Sequence, residues 1–307
     1  MKKILLMLFI VFSDLCCATT PIMMVVPFAP GGPVDSVARI FQQGLSKELG
    51  QSVYIQYKPG GGGAIGSNFV ADQKSNLVLM LHSSALIINP IVTNSNKSLS
   101  DEFKLIGYLG HHPFVLIANE KFVHKDLKTW NKLSKNDHIS IGNGGVGTTS
   151  YIINKVFESK FPNINFIDVN YQKGASAMTN DILSGNLDLT ISYVVLVKQL
   201  IDTGKINPMA VAHHTRLKFI PTTPTFKELG MPDIDLTNQY FLVANASASD
   251  SEVLRIRAAT KRFIEDPTTK EIYKANGIEY NYQSKIILDT FIDEEYNRYK
   301  KLLKNIN

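Results

Sequence analysis

The sequence predicts an α/β protein of two units, each a mostly parallel sheet flanked by helices. Short apolar runs alternate with amphipathic stretches along its 307 residues. Two of the strand-to-helix turns, at residues 28–35 and 142–149, are alike in being rich in glycine. At roughly 100–200 residues per domain, the length allows two domains and an ample core. Composition agrees: 44% hydrophobic and 19% charged residues argue against disorder, collagen or a coiled-coil rod. The formal charge of +5 is mild and spread along the chain, so nucleic acid is not an expected partner. No internal stretch approaches the ~18 apolar residues of a membrane span.

The first residues read as a leader. Lys2 and Lys3 precede an unbroken apolar run, Ile4 to Phe12, which Ser13 and Asp14 end. A charged start, a short apolar stretch and a small-residue exit describe a secretory signal peptide, expected over 1–18 with the cut after Ala18. Its loss removes Lys2, Lys3 and Asp14 and leaves a charge of +4. Both cysteines, Cys16 and Cys17, fall inside it. The mature chain is then expected to have no disulfide and no thiolate metal site. A lipid anchor on either cysteine is the alternative.

Ile22 to Phe28 is a continuous apolar run, as in a buried parallel strand. Ala29-Pro30-Gly31-Gly32-Pro33 breaks it, and Val34, Val37, Ala38, Phe41 and Leu45 then recur at helical spacing to near Gly50. Val53 to Tyr57 reads as a strand, Ala64 to Asp72 as a helix and Leu77 to Leu81 as a third strand. After a polar loop around 93–100, Phe114 to Ala118 is strand-like and Leu127 to Leu133 helical. Ile139 to Gly142 reads as a strand leading through the second glycine turn into a helix over Thr148 to Ser159. Strands at Phe166 to Val169, Leu187 to Tyr193 and Pro208 to Ala212 alternate with helices at Ala175 to Ser184 and Val195 to Thr203. Phe241 to Ala244 looks like a crossing back, followed by helices at Val253 to Ile264 and Ile286 to Leu303. The expected units are 19–118 plus 242–307, and 119–241.

In open α/β sheets, ligands bind beyond the carboxyl ends of the strands. A helix N-terminus there offers unpaired N–H groups and the positive end of its dipole to an anion. Two such loops could clamp a carboxylate between two domains; read singly, each is equally a tight turn. Gly60 to Gly63 lacks the Lys-Ser/Thr ending of a nucleotide loop and reads as a turn. Gly142-x-Gly144-x-x-Gly147 matches dinucleotide spacing but lacks a carboxylate partner about twenty residues on. Asp35 could bind a ligand or stabilise the first helical turn, and Asn143 could donate to a ligand or bend its loop. Ser83 and Ser84 could face the cleft; Asp188 could touch the ligand or sit bonded near the hinge. His111-His112 and His213-His214 are adjacent pairs whose side chains point to opposite faces of a strand. Each pair is a poor chelate, so no metal and no cofactor are expected. No Gly-x-Ser-x-Gly elbow marks a hydrolase, and no catalytic residue is assigned.

The motifs, in order, resemble one family. Val26-Pro27-Phe28-Ala29-Pro30-Gly31-Gly32-Pro33-Val34-Asp35 with Ala38-Arg39 is similar to the opening signature of Bug-type solute receptors, the periplasmic binding proteins of tripartite tricarboxylate transporters. Lys58-Pro59-Gly60-Gly61-Gly62-Gly63-Ala64-Ile65-Gly66, Asn89-Pro90, Gly145-Val146-Gly147-Thr148, Tyr171-Gln172-Lys173-Gly174-Ala175, Gly185-Asn186-Leu187-Asp188 and the Pro221 to Gly230 block continue the resemblance. It implies a two-domain periplasmic-binding-protein ("Venus flytrap") fold, a small organic carboxylate ligand and transient docking to membrane transporter subunits. A periplasmic, monomeric, non-enzymatic receptor is expected; a sensor with a membrane partner, or a secreted enzyme, are the alternatives. The expected ligand-binding residues are Phe28, Ala29, Pro30, Gly31, Gly32, Asp35 and Ser83 from the first unit. From the second come Asn143, Gly145, Gly147, Thr148, Thr149 and Asp188. Lys58 stands where the family has Arg, Lys74 to Val78 replaces a Pro-Asp-Gly-Tyr-Thr stretch, Tyr151 replaces a His and Tyr240 a Trp. These departures bear on the ligand more than on the fold.

Overall fold

The computed structural model describes residues 20–306 except 75, 96–98, 172–174 and 281–284, with side chains undescribed at 285–291 and 305–306. The leader expected at 1–18 and the Gln172-Lys173-Gly174 stretch lie outside the described residues. The elements are β1 (Ile22–Val26), α1 (Pro33–Leu49), β2 (Val53–Tyr57), α2 (Ala64–Ala71), β3 (Val78–Ser83), α3 (Ala85–Val92), α4 (Leu99–Glu102) and β4 (Phe103–Asn119). Then come β5 (His138–Asn143), α5 (Thr149–Lys160), β6 (Asn165–Asn170), α6 (Ala175–Ser184), β7 (Leu189–Tyr193), α7 (Val194–Asp202) and β8 (Ile206–Ala212). β9 (Thr237–Asn245), α8 (Asp250–Glu265), α9 (Pro267–Ala275) and α10 (Lys285–Ile306) complete the order.

β2, β1 and β3 pair in parallel, with Met24 between Ile55 and Leu79. β9 adds antiparallel to β3, and β4 antiparallel to β9. The other half repeats the plan: β6, β5 and β7 are parallel, and β4 lies antiparallel between β7 and β8. β4 is therefore shared. Its residues Phe103 to Pro113 pair with β9, and Phe114 onward pair with β7 and β8. The partner switch falls at Pro113, which has no N–H to give a ladder.

Burial follows the sequence pattern. α1 starts with Pro33 at its first turn, buries Val34, Val37, Ala38, Phe41 and Leu45, and ends at Gly50 in the left-handed conformation. Those side chains meet Met24, Val26, Leu79, Tyr240 and Ile256 in one core cluster. A second cluster gathers Trp130, Ile141, Phe157 and Leu116 of one half with Met80, Ile87 and Phe241 of the other. Trp130 is fully buried and donates through Nε1 to the His124 carbonyl at 2.8 Å. α10 packs on α3 of one half and α5 of the other, burying Tyr299 completely.

Several elements differ from expectation. The strand expected from Phe114 begins at Phe103, because Gly107 and Gly110 accompany register shifts that interrupt its alternation. α3 and α9 were not foreseen: α3 is apolar on all sides over Ala85 to Ile88 and carries Asn89-Pro90, and α9 is short. The helix expected at 127–133 is a 3₁₀ stretch, Leu127–Lys132, capped by the Asp126 side chain.

Candidate functional site

A cavity of about 470 Å³ lies between the halves, at the carboxyl ends of the parallel strands. The β1–α1 loop lines it through Phe28, Ala29, Gly32, Pro33 and Val34, and the β5–α5 loop through Gly144, Gly145, Val146, Thr148 and Thr149. The 60–63 glycine stretch, read from sequence as a turn, forms a third wall. Ser83, Asn89, Phe114, Tyr171, Tyr193 and Asn238 are also in the lining. No charged side chain among the described residues lines it.

Its donors are backbone groups at two helix starts. In α1, Gly32 supplies no side-chain cap and Pro33 no N–H. Ser36 N–H reaches the Gly32 carbonyl, while Val34 and Asp35 N–H have no partner among the described residues. In α5, the Thr148 hydroxyl caps Tyr151 N–H, and Ile152 N–H bonds the Thr148 carbonyl. Thr149 and Ser150 N–H are left without a partner among the described residues. Thr149 Oγ1 is buried beside the Tyr299 hydroxyl and makes no hydrogen bond of good geometry. Two unsatisfied N-termini thus open on one cavity, an arrangement suited to anionic oxygens.

Several expected residues brace the loops from behind. Asp35 is buried and accepts from Gly31 N–H at 2.8 Å, Tyr57 Oη at 2.6 Å and Arg39 Nε at 3.0 Å. Burial pushes its carboxyl up, but the bonds from Tyr57, Gly31 and Arg39 outweigh this and hold it below the usual range. Asn143 is fully buried; its Oδ1 accepts from Gly145 N–H at 2.7 Å and its Nδ2 donates to Asp168 at 2.8 Å. Asp188 accepts from Ser140 N–H at 2.8 Å and Ser140 Oγ at 2.7 Å. Pro30, Gly31, Asp35, Asn143, Gly147 and Asp188 are not in the cavity lining; Phe28, Ala29, Gly32, Ser83, Gly145, Thr148 and Thr149 are.

Contacts missed from sequence close the cavity. Asn89 Nδ2 donates to the Gly62 carbonyl at 2.8 Å. A Cβ on Gly62 would sit 2.3 Å from the Val146 carbonyl, and one on Gly147 1.7 Å from Asn89 Oδ1. Both glycines have positive φ, 59° and 87°. The two halves therefore touch across the cleft at places where only glycine fits. Beneath the third wall, His82 Nε2 would lie 2.7 Å from a Cβ on Gly63. Burial depresses His82 to about 4, so it is neutral at ordinary pH.

Comparison with known proteins places the family and the fold. Residues 37–307 match the family model described as the tripartite tricarboxylate transporter family receptor. A protein of the tcbD–tcbE intergenic region of Pseudomonas sp. strain P51 is 27% identical over 288 residues, covering 92% of this chain and 85% of its own. The solved structure of the periplasmic binding protein BugD superposes with a TM-score of 0.82 at 26% identity, covering 93% of this chain and 97% of that one. An R. palustris protein with adipate superposes with a TM-score of 0.83 at 21% identity, covering 94% and 98%.

Proposed function

This chain belongs to the tripartite tricarboxylate transporter receptor family, and from that premise we propose that it captures a small organic carboxylate in the cleft and delivers it to membrane transporter subunits. The family consists of solute-binding receptors, not enzymes. The observation that carries the reading is the pair of unsatisfied helix N-termini, of α1 and α5, opening on a cavity without charged side chains among the described residues. A carboxylate oxygen bound there meets fixed N–H donors and two helix dipoles at no cost in side-chain ordering. Val34 N–H serves one end, and Thr149 and Ser150 N–H with Thr149 Oγ1 the other. Asp35 and Asn143 shape the loops, and Asp188 anchors β5 beside β7.

Closure turns on the strands that join the halves, at Pro113–Phe114 in β4 and just before Thr237 in β9. The leader at 1–18 directs the chain to the periplasm, where it acts as a monomer. Adipate in an R. palustris neighbour favours dicarboxylates as the first ligands to try.

A thermal-shift screen tests this, using succinate, adipate, citrate, glutamate and benzoate. A ligand at 100 times its dissociation constant adds about 2.7 kcal/mol of stability. Gly32→Trp is the matching variant. Gly32 has an ordinary φ, and a Cβ there meets only the Ala29 carbonyl at 3.9 Å, so the fold admits a side chain that fills the cavity. A stabilising acid whose effect vanishes in Gly32→Trp is the expected result. An unchanged effect in that variant would remove the site assignment.

A further inference from the structure

Beside the strand crossing, away from the cavity, three metal-ligating side chains converge. His213 Nε2 lies 3.2 Å from Glu279 Oε2, and His111 Nε2 lies 3.6 Å from the same oxygen. All three ligand atoms fall within 4.8 Å of one another. For bonds near 2.1 Å, tetrahedral coordination puts ligand atoms about 3.4 Å apart, so the two distances bracket the requirement.

The rings are already oriented. His213 Nδ1 meets the Thr215 carbonyl at 3.0 Å, and His111 Nδ1 meets the Tyr108 hydroxyl at 2.5 Å. Each contact occupies Nδ1 and turns Nε2 toward Glu279, the outer bond that metal-ligating histidines need. His213 is 6% exposed, and its Nε2 is buried without a hydrogen bond of proper geometry. Its polar neighbour there is the Glu279 carboxylate, so an ion held between them would be shared by both groups. His112, the neighbour of His111, turns the other way and bonds Tyr240 and the Asn276 carbonyl. Each histidine doublet therefore contributes one ring, His111 from β4 and His213 from the turn after β8.

We propose that His111, His213 and Glu279 form a binding site for one divalent transition-metal ion, with solvent completing its coordination. Two imidazoles and one carboxylate suit Zn²⁺, Co²⁺ or Ni²⁺ rather than Ca²⁺ or Mg²⁺. The position gives the ion a structural consequence. His111 lies on the part of β4 that pairs with β9, and it forms an isolated bridge with Glu279. His213 follows β8, which pairs with the far part of β4. A bound ion thus joins the two halves across the crossing strand.

The test is calorimetric titration of the untagged, chelator-washed protein with Zn²⁺, and of Co²⁺ followed by its ligand-field absorption, with no organic acid present. One site per chain is expected, with Zn²⁺ raising the melting temperature. His111→Ala, His213→Ala and Glu279→Gln each weaken Zn²⁺ at least about tenfold. His214→Ala, next to the cluster but outside it, binds as the wild type does. Glu279→Gln covers the case in which His213→Ala fails to fold, because Glu279 is half-exposed and keeps its backbone bridge to His111. Absence of Zn²⁺ binding, or binding unmoved by His111→Ala and Glu279→Gln, overturns the proposal. Carboxylate binding is measured separately, so its failure would be a different result.

Discussion

Asn89 and Gly147 face each other across the cleft so closely that a Cβ on Gly147 would lie 1.7 Å from Asn89 Oδ1. Asn89 also donates to the Gly62 carbonyl. Gly62 in turn stands against the Val146 carbonyl, 2.3 Å from where its Cβ would be. The closed cleft therefore requires glycine at 62 and 147, and the two substitutions should differ. In Gly147→Ala the obstruction is the end of a side chain, which can rotate away at the loss of one hydrogen bond. In Gly62→Ala it is backbone, which cannot. Ligand affinity should fall more for Gly62→Ala, and adding Asn89→Ala should recover affinity only in Gly147→Ala. Calorimetric titration of the four variants measures this; rescue of neither would mean that left-handed strain, not contact, sets the effect.

Asp35 holds the first loop from inside the fold. Asp35→Ala leaves Gly31 N–H and the Tyr57 hydroxyl without their acceptor, a loss of about 2 kcal/mol, with the largely exposed Arg39 adding little. The carboxyl is held low in the folded state, so its contribution is present above the unfolded value near 3.8 and is lost as pH falls through the folded one. Urea unfolding at pH 7 and at pH 3 should therefore show a smaller gap between wild type and Asp35→Asn at the lower pH.

His82 and His112 are buried neutral, each pushed down to about 4 by burial. Between roughly 6.5 and 4 the unfolded chain binds protons that the native chain does not. Stability should then fall as pH is lowered through that window, by up to about 1.4 kcal/mol per pH unit for each histidine, and be constant above it. His213 acts oppositely: burial lowers it, but the Glu279 carboxylate beside it outweighs this and holds it above the usual value. The slope of stability against pH in wild type and in His112→Gln separates the contributions. A slope unchanged in His112→Gln would contradict the buried-neutral assignment.

Thr149 offers a cleaner probe of the second helix start. Its Oγ1 is buried beside the Tyr299 hydroxyl without a hydrogen bond of good geometry, so Thr149→Val should change the stability of the ligand-free protein by no more than about 1 kcal/mol. Carboxylate affinity should drop about tenfold, the worth of one hydrogen bond to a charged group. Melting and titration of the same variant report the two effects separately.

Much of this was legible in residue order. Strict strand-to-helix alternation exposed β1 through β3 and β5 through β8. The Pro30 to Pro33 and Gly144 to Gly147 breaks marked both helix starts that open on the cavity. The rest depended on distance in three dimensions. Gly60 to Gly63 reads as a turn because nothing local says that a second loop lies against it. The length of β4 was hidden by Gly107 and Gly110, which interrupt the alternation that betrays a strand. The histidine doublets were judged as pairs on strands; His111 and His112 do diverge, but His213 and His214 lie beyond the end of β8 with their rings 3.9 Å apart, so that expectation fails for the second pair. Only the register of β4 and the end of β8 bring His111 and His213 to one carboxylate.

The most direct measurement is an equilibrium titration of unfolded and refolded protein, cleared of any co-purified ligand, with succinate and adipate and with their dimethyl esters. Saturable one-to-one binding of a diacid, and none of its ester, is the predicted result, since the proposed clamp of Val34, Thr149 and Ser150 N–H groups favours anionic oxygen. Ester binding as tight as acid binding, or no binding of any organic acid by correctly refolded protein, would contradict a carboxylate clamp built on these two helix starts.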